Sequence, residues 1–158
     1  MNIGGHGLRD HLGLVAPLLG LIAAVWALRM VLDFAGAPRG AVRLSSVTLA
    51  CTASLVVAVL LIHFKRFGGY ANVAAVVFLL ALWEQVLVVM TLAFTMLTGI
   101  QTVYSAPEFQ GHMTPGQHLM AHLTFALGIR TLFGMAMDFL LFWLLRKLAP
   151  VASPAKPS

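Results

Sequence analysis

Four long runs of apolar residues, separated by short polar turns, dominate the pattern of the chain. The runs cover about 12–34, 44–64, 71–100 and 115–146. Each is long enough to cross a membrane as a helix, since about 20 apolar residues rise some 30 Å. The pattern predicts an all-α integral membrane protein with an antiparallel four-helix transmembrane bundle. The bundle would form one domain over 12–147.

The two ends of the chain are more polar than the runs between them. Residues 1–11 are interpreted as a cytoplasmic N-terminal segment, and residues 148–158 as a disordered cytoplasmic tail. The first run is predicted to be a helix and not a cleaved signal peptide, because Arg29 and Asp33 interrupt its end. These two residues are four apart, so they would pair locally or reach the membrane interface.

Composition supports a membrane protein. The 158 residues are 60% hydrophobic and 9% charged, with a mean hydropathy of +0.93. Soluble domains carry about 25% charged residues, so little of this chain is expected outside the bilayer. The net charge of +5 is spread among short loops, a distribution that does not indicate a nucleic-acid partner. The expected partners are the lipid bilayer and either further copies of the chain or other subunits of a membrane complex.

The distribution of basic residues predicts the orientation. Four crossings put both termini and the 65–70 turn on one side of the membrane. That side holds Arg9, Lys65, Arg66, Arg146, Lys147 and Lys156, whereas the other side holds Arg39 and Arg43. Basic residues favour the cytoplasmic side, which predicts a multi-pass protein of the cell (inner) membrane with both termini in the cytoplasm. The 101–117 loop would then face outward.

The last apolar run begins with a capping sequence and carries polar residues along its length. Thr114, Pro115 and Gln117 predict the start of the helix. Steps of four residues then give a row of His118, His122, Ala126, Arg130, Gly134 and Asp138. Each step advances about 40° beyond a full turn, so the row is predicted to wind around the helix as a ridge.

Charges in this ridge require partners, because a charged side chain at the bilayer centre costs about 2.5–3.5 kcal/mol on insertion scales. Glu84 and Arg130 lie at similar heights above the predicted cytoplasmic surface, about 20 and 24 Å at 1.5 Å per residue. We therefore predict a buried ion pair between them. Asp138 has no obvious cation at its depth. Three side chains could reach toward it: His11, His63 or Lys65.

Threonines extend the polar surface of the third run beyond Glu84. All four lie within about 40° of the direction of Glu84 in an ideal helix. They are Thr91, Thr95, Thr98 and Thr102. With Asp138 on the last helix, they predict a polar seam between the third and fourth helices. The seam would lead to the outward loop that carries Glu108 and His112.

Histidines supply candidate metal or cofactor ligands at both ends of the bundle. His118 and His122 are four residues apart on one helix face, close in sequence to Glu108 and His112. This spacing allows a transition-metal site or contributes to a cofactor site. At the cytoplasmic end, the pair His11 and His63 could ligate a haem b between helices, or contact lipid headgroups. The sequence identifies no catalytic residue.

One segment of the last run carries a local resemblance. The segment HLTFALGIR at 122–130, followed by MDF at 137–139, resembles the haem-bearing helix of the succinate dehydrogenase membrane-anchor family. In that family a His precedes a Gly-Ile-Arg run and then an Asp. Here the interval from His122 to Gly128 is longer, Asp138 follows later, and under a fifth of the chain is covered. We assign neither a family nor residue roles from it.

Three classes of function are consistent with these features, and no signature of a soluble enzyme is present in the sequence. The first is a membrane subunit or anchor of a larger complex, with a haem or quinone at the polar seam for electron transfer. The second is a small oligomeric transporter or channel that uses buried Glu84, Arg130 and Asp138. The third is a membrane-embedded enzyme with an outward-facing His/Glu site.

Overall fold

The computed structural model describes residues 2–106 and 113–150. This part of the chain is helical apart from a short N-terminal hairpin, in which β1 (Asn2–Ile3) pairs with β2 (His6–Gly7). The helices are α1 (Leu8–Phe34), α2 (Arg39–Leu44), α3 (Val47–Phe64), α4 (Tyr70–Thr98), α5 (Pro115–Ala121) and α6 (Leu127–Leu148). A 3₁₀ turn covers Val103–Ser105, and a π-helical turn, His122–Ala126, joins α5 to α6. We call Pro115–Leu148 the last helix.

Four helices are long and apolar enough to cross a membrane. They are Leu8–Phe34, Arg39–Phe64, Tyr70–Thr98 and Pro115–Leu148. The second of them is interrupted after Leu44. There Ser46 caps α3 by accepting a hydrogen bond from the backbone N–H of Leu49 at 3.2 Å.

The first helix begins at Leu8, four residues before the predicted start at 12. Polar residues of the predicted N-terminal segment form its first turn. Asp10 accepts a hydrogen bond from the backbone N–H of Gly7 at 2.7 Å, and His11 Nδ1 donates to the Gly7 carbonyl at 2.8 Å. Since both side chains satisfy backbone groups at the helix start, their polarity does not exclude them from the helix.

The ends of the third and fourth long helices follow local chemistry. α4 ends at Thr98 and not at 100, because Gly99 adopts a left-handed conformation with φ of 72°. The predicted capping of the last helix is confirmed: Thr114 Oγ1 accepts from the Gln117 backbone at 3.3 Å, and the Gln117 side chain accepts from the Thr114 backbone at 2.9 Å. The helix continues to Leu148, two residues beyond the predicted end.

The π-helical turn corrects the predicted course of the polar ridge. The backbone N–H of Leu127 bonds to the carbonyl of His122, five residues earlier. Such a turn inserts one extra residue and rotates everything that follows by about 100°. Arg130 therefore lies on nearly the same side of the helix as His122. The row of polar residues therefore winds less around the helix axis than it would in the continuous α-helix predicted from the sequence.

An apolar core joins the four long helices. Its fully buried members include Val15, Ile22, Leu55, Ile62, Val77 and Leu80. Specific contacts fix α1 against α4: the Trp83 indole donates to the Leu19 carbonyl at 3.0 Å, and the Trp26 indole donates to Thr91 Oγ1 at 2.9 Å. The last helix approaches α3 and α4 at Gly134, which lies beside Leu55 and Val77.

A polar contact anchors the N-terminal hairpin to the start of α4. His11 Nδ1 donates its proton, so Nε2 accepts, and the Asn72 amide 2.9 Å away donates to it. The same amide group donates to the Ile3 carbonyl at 2.8 Å. Gly4 and Gly68 lie against Asn72 with φ of 58° and 99°, where a side chain would collide with it. The hairpin is therefore held against the start of α4.

We expect Gly134→Ala to lower the stability of the purified protein. An added Cβ would lie 2.9 Å from Val77 Cγ1 and 3.3 Å from Leu55 Cδ1, and overpacking of this kind costs about 1–3 kcal/mol. Thermal unfolding in detergent measures the effect. Gly128→Ala is the matched control, because a Cβ there meets nothing within 4 Å. Equal melting temperatures for the two variants would contradict the close approach.

Candidate functional site

An ion pair joins α4 to the last helix in the interior. Arg130 Nε donates to Glu84 Oε2 at 2.8 Å, with 13% of the arginine side chain and 3% of the glutamate side chain exposed. The Arg130 Nη2 group also donates to the Thr48 carbonyl at 3.1 Å and to Thr52 Oγ1 at 2.8 Å. Residues from two other long helices, α4 and α3, thus satisfy one guanidinium.

The paired charges need this arrangement. Moving one charged side chain from water into apolar surroundings costs on the order of several kcal/mol of hydration free energy. Close partners with good hydrogen-bond geometry are needed to offset this cost. The threonines on α3 supply the hydrogen bonds that one carboxylate cannot. Sequence reasoning missed Thr48 and Thr52, which lie one turn apart on α3. Thr48 contributes its backbone carbonyl, which any residue carries, and the contact of Thr52 with Arg130 depends on how the helices assemble.

A second polar contact with the last helix involves Gln85, the residue that follows Glu84 on α4. His122 Nδ1 donates to Gln85 Oε1 at 2.9 Å. The ring of His118 lies next to that of His122, with 5.0 Å between centroids. His118 is buried, and its Nδ1 has no hydrogen-bond partner among the residues that the structure describes. The two imidazoles and the ion pair therefore follow one another along the contact between α4 and the last helix.

A cavity of about 240 Å³ lies beside His118. Its polar side consists of Thr95, Gln101, Ser105 and His118, and its apolar side includes Leu92 and Met96. Glu108 and His112, predicted to share this region, lie outside the described residues. The cavity could admit water or a small polar molecule at the end of the line of polar residues.

The predicted threonine seam divides between different neighbours. Thr91 accepts from Trp26 of α1 and donates to the Leu87 carbonyl, so it faces α1 and not the last helix. Thr95 Oγ1 lies 3.2 Å from Thr102 Oγ1 near the cavity. Thr98 is exposed and donates to the carbonyl of Phe94. The threonines on this face of α4 thus have three different surroundings: the contact with α1, the cavity and the exposed surface.

Asp138 is the one fully buried carboxyl of the last helix. Its side chain is 0% exposed, and neither oxygen has a hydrogen-bond partner within residues 2–106 and 113–150. The residues one turn before and one turn after it are also buried: Gly134, against Leu55 and Val77, and Phe142, against the rings of His63 and Tyr70. Asp138 therefore faces the packed contact between α3, α4 and α6.

The histidines at the hairpin end are engaged by other groups. His11 uses both ring nitrogens, for Gly7 and Asn72, and His63 Nε2 donates to the Ala149 carbonyl at 2.8 Å. This geometry does not fit axial ligation of a haem by two imidazoles, which requires a free nitrogen on each ring. No group of three His, Cys, Asp or Glu side chains that could hold a metal occurs among the described residues.

Arg29 and Asp33 contact the segment that follows α4. The Arg29 guanidinium lies over the ring of Tyr104, 4.7 Å from its centroid. Asp33 Oδ2 accepts from the backbone N–H of Val103 at 2.6 Å. Burial raises the pKa of the Tyr104 hydroxyl, and the nearby Arg29 charge opposes this rise. The two helix residues thus secure the 3₁₀ turn at the cavity end.

Comparisons of the chain with protein-family models, with curated proteins and with solved structures give no match.

We expect Glu84→Gln and Arg130→Gln to destabilise the protein far more singly than in combination. Removal of one member leaves the other buried without its countercharge, which costs about 3–5 kcal/mol. A double-mutant cycle on thermal unfolding in detergent measures the coupling. If the losses of the two single variants simply add in the double variant, the ion pair contributes no mutual stabilisation.

Proposed function

We propose that this chain is a four-helix transmembrane protein of the cell (inner) membrane that carries protons across the bilayer. The contacts support an antiparallel arrangement of successive helices. His11 of α1 contacts Asn72 of α4, and the later Trp26 contacts the later Thr91. The first and third long helices therefore run parallel, as alternate helices of such an arrangement should. On the last helix, by contrast, Gly134 contacts Val77 of α4 and the later Phe142 contacts the earlier Tyr70.

The proposed route follows the contact between α4 and the last helix. It would begin at the cavity beside His118 and continue through His122, hydrogen-bonded to Gln85. The Glu84–Arg130 pair comes next along the helix, and Asp138 lies two turns beyond Arg130. His63, in contact with Phe142, lies on the far side of Asp138. Imidazoles and carboxyls accept and release protons, and intramembrane series of such groups form proton relays.

The observation that carries the proposal is that the Asp138 carboxyl has no hydrogen-bond partner in the part of the chain that the structure describes. The ion pair explains why Glu84 and Arg130 can both be buried, because each neutralises the charge of the other. It does not account for a fully buried carboxyl without a hydrogen bond, which costs stability compared with an apolar side chain of similar size. A residue that lowers stability in a packed core is best explained by a functional role. Reversible protonation is the role that a lone carboxyl can perform.

In the proposed step, the Asp138 carboxyl releases its proton toward one face of the bundle and takes another from the opposite face. No bond other than O–H changes and no electron is transferred. The Arg130 guanidinium, two turns away, stabilises the transient carboxylate by its positive charge. It retains Glu84 as its partner throughout, so the charge that assists Asp138 stays in position.

We expect Asp138→Asn to reduce proton flux to the level of protein-free vesicles. Proteoliposomes that contain a pH-sensitive dye and carry an imposed potassium gradient measure this flux. The melting temperature should change little, because the replaced carboxyl has no hydrogen bond to lose. Asp10→Asn is the matched control, since an amide oxygen at that position still accepts from Gly7. Wild-type flux from the Asp138 variant, or no flux from the native protein, would refute the proposal.

A second candidate is a membrane subunit of a larger assembly. The last helix supports it, since α6 buries only Gly134, Asp138 and Phe142 in the single chain, whereas α4 buries twelve residues. Large apolar side chains on α6 are exposed, among them Leu132 at 70% and Phe133 at 64%. Either lipid or another subunit would cover them in a membrane.

Native mass spectrometry from a mild detergent tests this second candidate. A subunit interface on α6 predicts an assembly of more than one chain, which Phe133→Ala should weaken by removal of an exposed aromatic contact. Phe78→Ala, at an exposed site on α4, should leave the assembly intact. A native protein that remains monomeric would contradict the subunit function and leave the proton route unaffected.

A further inference from the structure

Positive charge accumulates at the hairpin end of the bundle, where Asp10 is the one acidic side chain among the described residues. Arg9, Lys65, Arg66, Arg146 and Lys147 lie at this end. The acidic surface residue there is Asp10, which is engaged with the backbone N–H of Gly7. The described chain has three other side-chain carboxyls. Asp33 lies at the opposite end of α1, and Glu84 and Asp138 are buried. This local excess of positive charge attracts anions from the surroundings.

A cleft at this end presents two of the arginines to one space. It measures about 470 Å³ and lies between the end of α3, the beginning of α4 and the end of α6. Arg66, which follows α3, and Arg146 of α6 both line it, and Ile62 and Phe142 give it an apolar part. Gly68 and Gly69, which also line the cleft, carry no side chains that would fill it.

The local structure holds both arginines at the cleft. Arg66 follows the end of α3 in a left-handed conformation with φ of 54°, which is uncommon for a residue with a side chain. Arg146 lies over the ring of Phe142, 5.9 Å from its centroid. His63, at the base of the cleft, is fixed by its hydrogen bond to Ala149. The two guanidinium groups thus flank a preformed opening.

A second hollow, of about 280 Å³, adjoins the other side of Arg146. Tyr70, Trp143, Arg146 and Lys147 line it. Tyrosine and tryptophan prefer the membrane interface, where an apolar ring body and a polar edge both find suitable surroundings. Cationic side chains beside such aromatic rings are typical of protein surfaces at the level of phospholipid headgroups.

We propose that the cleft between Arg66 and Arg146 binds a phosphate group, with an anionic phospholipid headgroup or a soluble phosphate as its source. Guanidinium groups bind phosphate oxygens through paired, charge-assisted hydrogen bonds. The apolar part of the cleft and the Tyr70–Trp143 hollow would accept the glycerol and upper acyl region of a lipid. This inference does not depend on the proposed proton route.

The test compares ligands on the full-length protein in detergent. Native mass spectrometry measures binding of phosphatidylglycerol against zwitterionic phosphatidylcholine, and thermal shift measures the response to inorganic phosphate. Retention of phosphatidylglycerol alone supports a lipid source, and a specific shift with phosphate supports a soluble one. Equal retention of both lipids together with no phosphate shift overturns the proposal.

Variants then localise the binding. Arg66→Gln combined with Arg146→Gln should weaken binding of the preferred ligand at least about tenfold, since each lost charge-assisted bond is worth that much. Arg9→Gln combined with Lys65→Gln is the matched control, because it also removes two charges at the same end and neither residue lines the cleft. Equal weakening by the control variant would show that general surface charge is responsible, and would overturn the site. Unaltered melting temperatures in the absence of ligand verify that all variants fold.

Discussion

The cost of burying charge in an apolar interior determines how the helices of this protein pack. Arg130 cannot face lipid or a closed apolar core without partners, and its partners come from two other helices: Glu84 on α4, and Thr48 and Thr52 on α3. These contacts fix the height and the rotation of three helices at once. Apolar packing alone specifies such a register weakly, because leucine and valine surfaces are similar along the length of a helix.

The same physical rule distinguishes Asp138 from its neighbours. Glu84 and Arg130 satisfy each other, whereas Asp138, two turns beyond Arg130, is fully buried and has no hydrogen-bond partner among residues 2–106 and 113–150. A core selected for stability alone would hold an apolar residue there. Among the described residues, the buried polar groups are thus paired with each other at one site and lack a partner at the other.

The length and polarity of the apolar runs predicted most of the fold. The four long helices and the pairing of Glu84 with Arg130 depend on helix length and rise, and the cap depends on Thr114 and Gln117, all of which the sequence supplies directly. The structure differs where neutral side chains supply contacts from other helices. Asn72, Gln85 and Thr52 have ordinary positions in the sequence, and their importance appears only when α1, α3 and the last helix are assembled around them.

The π-helical turn at His122–Ala126 shows why the ridge on the last helix could not be read from spacing alone. In a continuous α-helix, steps of four from His118 to Asp138 would drift through about 200°. One inserted residue removes about half of that drift. As a result His122, Arg130, Gly134 and Phe142 all meet α4, at Gln85, Glu84, Val77 and Tyr70 in turn. The irregular turn, which costs backbone regularity, is therefore what aligns the polar residues of the last helix along a single interface.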